Sequence, residues 1–276
     1  MAALKLSLVV SIEQTGFDAV AMRGAWQQGI QTAAALGYDG VELAVRDPAS
    51  VDARALRETV QASGLAVPAI GTGQAYLKDG LSLASDDAGV RRRALERVGT
   101  HLKLAAPWGA AVIVGLVRGR ISGDREQTER RLLESFGRLL PEADRLGVHL
   151  LIEPINRYET DYLLTVDETL ALIERTGSPL VGVLADTFHM NIEEASVEDA
   201  LRRAGPRLGH MHLADTNRQA PGWGHLNVQK IVAVLREIGY RGYLSAEILP
   251  KPDPTSAARQ AVTHLRAALG TRPTGV

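Results

Sequence analysis

The chain has 276 residues, 45% of them hydrophobic, with 31 basic against 32 acidic side chains and no cysteine. The length allows one or two domains, and the apolar fraction is enough to bury a sizeable core. A net charge near zero argues against a protein that tracks nucleic acid by bulk electrostatics. The lack of thiols excludes a cysteine nucleophile, a disulfide framework, an iron–sulfur cluster and a thiolate zinc site.

The start lacks a basic segment before a short apolar run that contains Lys5 and Ser7. It reads as a strand, not a signal peptide, and no stretch has the roughly 18 apolar residues of a membrane span. The expectation is a cytoplasmic protein with no membrane partner. In chain order, the pattern predicts strand 4–10, helix 24–36, strand 40–43, helix 51–63, strand 67–72 and helix 87–105. Strand 111–115, helix 125–146, strand 148–152, helix 166–176 and strand 181–185 follow. Helix 197–204, strand 208–213, helix 228–238, strand 242–248 and helix 255–269 complete the series.

Strict alternation of strand and helix implies right-handed βαβ units and a parallel sheet. Gly37, Gly64, Gly147 and Gly239 each stand where a helix ends before the next strand, the position that favours left-handed backbone. Eight units in this length predict an α/β fold, a single (β/α)8 TIM barrel over residues 1–276 with 271–276 as a frayed tail. A doubly wound open sheet is the runner-up. The first strand–helix junction has no G-x-G-x-x-G, which disfavours a dinucleotide fold. Gly71-Thr-Gly73 lacks the third glycine, and no helix is predicted to start directly after it.

Active sites of such barrels lie at the C-terminal ends of the strands. Glu153, Asp186, His212 and Glu247 end strands five to eight, 33, 26 and 35 residues apart. Three buried carboxylates close together repel, and one is forced to protonate unless a cation intervenes. Three oxygens and one imidazole suit Mn²⁺ first, with Mg²⁺ or Co²⁺ as alternatives. Taken singly, each acid has another reading, as the cap of the next helix or the partner of an arginine.

Four segments bring a resemblance: Glu153-Pro-Ile-Asn156-Arg157-Tyr158-Glu159, Asp186-Thr-Phe-His189, His212-Leu-Ala-Asp-Thr-Asn217-Arg218 and Ala246-Glu247. Together they resemble the ketose 3-epimerase family, among the xylose-isomerase-like barrels. Val41-Glu-Leu-Ala-Val-Arg46-Asp, Gly71-Thr-Gly-Gln74-Ala-Tyr76 and Gly115-Leu-Val-Arg118-Gly-Arg120 are similar to its hexulosonate (5-keto-L-gluconate type) branch. The resemblance covers nearly the whole chain. It implies a divalent-metal-dependent C3 epimerisation of a ketose or hexulosonate through a cis-enediolate. It implies Glu153 and Glu247 as the two acid/bases, each also a metal ligand beside Asp186 and His212. By motif, Glu159, His189, Arg218 and Gln74 contact the substrate, and family members commonly form homodimers or tetramers.

Arg118 and Arg120 follow strand four on the catalytic face, where arginine binds a carboxylate bidentately. They suit a sugar-acid substrate, against the alternative of solvated loop side chains. Glu42 ends strand two and either reaches the site or pairs a loop arginine. Tyr76 and Trp223 either wall the pocket or cover a helix. His210, two residues before His212, reads as a polar residue one layer deeper; His101, His149 and His264 read as structural, and His225 stays open. Arg91-Arg-Arg93 reads as a solvated helix face.

The nearest competing chemistry is an aldose–ketose isomerase of the hydroxypyruvate- or xylose-isomerase type. An endonuclease IV-like nuclease needs more strand-end histidines and a basic footprint. A Schiff-base aldolase needs a lysine at the barrel top, and none of the five lysines falls at a strand end. A non-catalytic sugar-binding protein has no need for paired acids and Arg218.

Overall fold

The computed structural model describes residues 4–271. Eight parallel strands close into a barrel: β1 Lys5–Ser11, β2 Gly40–Ala44, β3 Ala69–Gly71, β4 Ala111–Val114, β5 Leu150–Ile152, β6 Val181–Asp186, β7 Leu208–His212 and β8 Tyr243–Ala246. Each pairs with its sequence neighbour, and β1 pairs with β8 in the register Leu8↔Ala246, which leaves no edge in the ring. The two-residue strand Met22–Arg23 adds to the end of β1 beside Val10 and Ser11.

The helices are α1 Trp26–Ala35, α2 Ala53–Ser63, α3 Gly73–Asp79, α4 Ala88–Ala105, α5 Arg125–Leu146, α6 Val166–Thr176, α7 Thr187–Glu193, α8 Val197–Ala204, α9 Val228–Glu237 and α10 Pro254–Leu269. Alternation along each strand decides what faces where. On β1, Leu6, Leu8 and Val10 join the large core between barrel and helices; on β6, Val181, Val183 and Ala185 do the same. The opposite parity fills the barrel with Ala69, Ile113, Leu151 and Leu184 as an apolar floor. Burying one such aliphatic side chain is worth about 1.5–3 kcal/mol, so the ring of helices is held on mainly by this outer layer.

The eight predicted helices are all present, and Gly37, Gly64, Gly147 and Gly239 all have positive φ. Two short helices were not expected. One corrects the reading of Gly71-Thr-Gly73: α3 does begin at Gly73, directly after β3. Its seven residues are too few for a clear apolar period. The other, α7, starts where Asp186 caps it through Phe188 N–H. The predicted tail lies outside the described residues apart from Thr271. Among the described residues, no helix is long and apolar enough to cross a membrane.

Candidate active site

The inward parity of the last four strands carries the expected constellation. On β6 it runs Gly182, Leu184, Asp186; on β7, after a register shift at Gly209, it runs His210, His212. Asp186 and His212 stand directly opposite each other in the ladder. Glu153 and Glu247 lie one residue past the ends of β5 and β8. Ligand atoms of Glu153, Asp186, His212 and Glu247 all lie within 4.8 Å of one another, and all four side chains are buried. His212 Nδ1 is 3.6 Å from Glu153 Oε1, 3.9 Å from Asp186 Oδ2 and 3.7 Å from Glu247 Oε2.

The residues fit a divalent cation on two observations. His212 Nδ1 and Asp186 Oδ2 are buried with no hydrogen-bond partner, a costly state for polar atoms unless something binds them. Protons alone also hold this charge poorly. Burial, with repulsion from Glu153 and Asp186, pushes Glu247 up to about 8 against the pull of His212 and Arg218. Burial likewise raises Asp186. Burial disfavours a charged His212, yet Glu42, Glu247 and Glu153 outweigh it and raise the imidazole well above its ordinary value. Asp186 is placed for both readings: Oδ1 caps α7, and Oδ2 faces His212.

A second layer aims these groups. Glu42, inward on β2, accepts from His210 Nε2 at 2.9 Å and from His212 Nε2 at 3.0 Å. It therefore reaches the site and, among the described residues, pairs no arginine, and His210 lies one layer down as expected. Asn156 Nδ2 donates to His189 Nδ1 at 2.7 Å and to Glu159 Oε1 at 3.1 Å. An amide N–H can only donate, so His189 accepts at Nδ1 and carries its proton on Nε2. Burial and the neighbouring Arg218, His212 and Arg118 push this imidazole well below its ordinary value, so it is neutral. Asn156 joins the site without having been singled out by the motif; its signal in the sequence is an amide three residues before Glu159.

Arg218 donates to Glu159 at 2.7 Å and to Glu247 at 3.2 Å, between the rings of Phe188 and Phe17. Burial opposes its charge, but Glu247, Asp186 and Glu159 hold it above its usual range. Its backbone is left-handed at φ 61°, a conformation that costs a non-glycine residue about 1–3 kcal/mol. Asp215 supports that turn, accepting from the N–H groups of Thr216, Gly222 and Leu226.

Glu42, Gln74, Glu153, Glu159, His189, His212, Arg218 and Glu247 line one cavity at the C-terminal mouth of the barrel. Gln74 donates to Ser11 Oγ, and its Oε1 is buried without a partner. The opposite wall is apolar: Val9, Phe17, Val20, Leu77, Ile113 and Leu116, all from the first four βα units. Gly115 gives Glu153 its room, since a Cβ there would sit 2.7 Å from Glu153 Oε2.

Two expected substrate contacts are corrected. Arg118 is fully buried and lies outside the cavity lining. It donates to the carbonyls of Gly115 at 2.9 Å, Tyr162 at 2.8 Å and Leu163 at 3.3 Å. Burial alone lowers its guanidinium to about 10 despite Glu153 nearby. Arg120 is exposed and donates to the Glu159 carbonyl. Neither side chain lines the cavity; the turn after β4 folds Arg118 back under the β5–α6 loop. Tyr76 and Trp223 do not line the cavity; Leu77 and Phe17 do.

Comparison with known proteins agrees with this geometry. Residues 30–268 match the xylose isomerase-like TIM barrel family. The chain is 33% identical over 236 residues to a D-psicose 3-epimerase of Agrobacterium fabrum (strain C58 / ATCC 33970), covering 82% of this chain and 80% of that one. It is 33% identical over 215 residues to an L-ribulose 3-epimerase of Mesorhizobium japonicum, covering 76% and 71%. A crystal structure of D-psicose 3-epimerase in the presence of D-fructose superimposes with a TM-score of 0.82 at 27% identity, over 97% of this chain and 100% of that one. The chain belongs to the xylose isomerase-like TIM barrel family and, within it, to the ketose 3-epimerases, carbohydrate isomerases of the racemase and epimerase class.

Proposed function

We propose that this chain is a divalent-cation-dependent 3-epimerase of a free ketose, of the D-psicose or L-ribulose kind. The observation that carries the reading is the pair Glu153 and Glu247, which face one cavity from β5 and β8 with His212 between them. Glu153, Asp186, His212 and Glu247 would hold the cation, with Mn²⁺ the best match to three oxygens and one imidazole. When bound, it would supply positive charge that polarises a ketone and favours the ionised form of the glutamate acting as base.

The chain's own residues then divide the work. One glutamate removes the C3 proton; the C–H electron pair becomes the C2–C3 double bond while the π pair of the C2 carbonyl moves onto its oxygen, giving a cis-enediolate. The other glutamate, in its acid form, returns a proton to the opposite face, so C3 inverts and the proton count balances. Arg218 draws Glu247 toward its ionised form and so keeps it usable as a base. The neutral His189 offers its Nε2 proton to an oxygen that gains negative charge. Glu159 and the free Oε1 of Gln74 accept from sugar hydroxyls.

A neutral ketose fits better than a hexulosonate. Among the described residues, Arg218 is the one Lys or Arg that lines the cavity, and it already holds two carboxylates. A substrate carboxylate therefore has no free guanidinium or ammonium in the lining to meet. The test is incubation of the Mn²⁺-loaded protein in D₂O with D-fructose, D-psicose, D-tagatose, L-ribulose and the matching sugar acids. Deuterium at C3, with the epimer formed from a neutral ketose, is expected. Exchange at C1 with an aldose product would point to an aldose–ketose isomerase instead.

A further inference from the structure

We infer that Glu42 is a positioning residue for the cation-binding set, fixing His212 with its Nδ1 lone pair toward Glu153, Asp186 and Glu247. The inference rests on the cation-dependent reading above. Glu42 stands on β2, across the barrel interior from β7, and is 2% exposed. Among the described residues its carboxylate meets no arginine or lysine; its hydrogen-bond partners are two imidazoles. Oε2 accepts from His210 Nε2 at 2.9 Å, and both oxygens lie 3.0 Å from His212 Nε2.

A carboxylate can only accept, so both rings turn a proton toward it. A neutral His212 that donates through Nε2 has a bare Nδ1. That is the atom left without a partner among three carboxylates. A carboxylate behind a ligating imidazole also raises the ring's basicity and fixes its orientation. Glutamine in place of Glu42 keeps the shape but presents one amide NH₂. Where that NH₂ meets His212 Nε2, the ring must carry its proton on Nδ1 and loses the lone pair the cation needs.

The test measures Mn²⁺ and Mg²⁺ binding to the metal-free protein by calorimetry, with thermal unfolding of the same samples as a control for folding. Glu42→Gln is expected to weaken Mn²⁺ about 10–100-fold. The loss for Mg²⁺ should be smaller, because that ion depends less on nitrogen. His210→Ala keeps the contact between Glu42 and His212, so it should lose less Mn²⁺ affinity than Glu42→Gln at a similar loss of thermal stability. Where the glutamine variant does not fold, Glu42→Asp, which withdraws the charge from both rings, serves the same comparison. A folded Glu42→Gln that binds Mn²⁺ like the wild type overturns the inference. So does a His210→Ala variant that loses as much, which would mean a general loosening of the core. A wild-type protein that takes up no divalent cation overturns both this inference and the cation-dependent reading, which the other two outcomes leave standing.

Discussion

Arg118→Ala separates the two roles that an arginine after β4 can have. Its guanidinium makes two short bonds to buried carbonyls, 2.9 Å to Gly115 and 2.8 Å to Tyr162, and a longer one to Leu163. Leu163 has φ 55° and accepts from Ile155 N–H, so the arginine braces a strained turn that in turn holds the segment after Glu153. Hydrogen bonds to a charged group are worth about 1.5–3 kcal/mol each, which gives about 3–6 kcal/mol for the two short ones. Water entering the vacated space returns part of this and leaves about 3 kcal/mol as the net loss. For a chain of this size each kcal/mol moves Tm by about 2–4 °C, so Tm should fall by roughly 6–12 °C. Calorimetric unfolding checks that figure, and kcat/KM on a neutral ketose and its sugar-acid analogue checks the role. The loss should be the same factor on both substrates. An unchanged Tm, or a loss confined to the acid, would refute the bracing argument and restore the arginine as a carboxylate clamp.

Three further outcomes are expected. Gly115→Ala should lower kcat by about 10-fold or more with little change in KM, because its Cβ would meet Glu153 Oε2 at 2.7 Å and displace a proposed base; unchanged kcat would show that Glu153 tolerates the shift. Backbone N–H groups of Leu226, Thr216 and Gly222 lower the Asp215 carboxyl even though burial works against them. A lowered folded pKa means its stabilisation is full above the ordinary aspartate value and is lost as pH falls through the lowered one, so Asp215→Asn should flatten the acid limb of Tm against pH below about 4. Removing divalent cations with a chelator should lower Tm, and Mn²⁺ at about 100 times its Kd should restore about 2.7 kcal/mol. A Tm that does not respond to either treatment would argue against a cation held by the folded state.

The barrel was legible because its signal repeats: apolar strand and polar helix face recur eight times, four of the helices run into a glycine, and each copy supports the others. The cluster of Glu153, Asp186, His212 and Glu247 was legible for a related reason. Four strand ends carry acids or imidazole one βα unit apart, and strand parity turns each into the same space. The orientation of Arg118 was not legible. Composition and position put it on the catalytic face, but whether a guanidinium points to solvent, ligand or backbone depends on the turn Leu116–Arg118 and on the carbonyls of a loop 44 residues away. The bond from Glu42 to β7 was hidden similarly, since it joins residues 168 and 170 positions apart. Helices α3 and α7, at seven residues each, are too short for periodicity to announce.

The cavity's two unlike walls give the fold separate dials for selectivity and for reactivity. Glu153 and Glu247, the proposed acid/bases, sit on the second half of the chain, whereas Phe17, Val20, Leu77 and Leu116 on the first half line the cavity with apolar surface. Changing the bulk of those four reshapes which sugar tail is welcome without touching a proton-carrying atom. Mutational drift, natural or directed, can therefore broaden or narrow the range of ketoses through the first half while the chemistry persists. The second half has less latitude, because there Glu159, His189, Arg218 and Glu247 are tied by hydrogen bonds to one another and to Asn156.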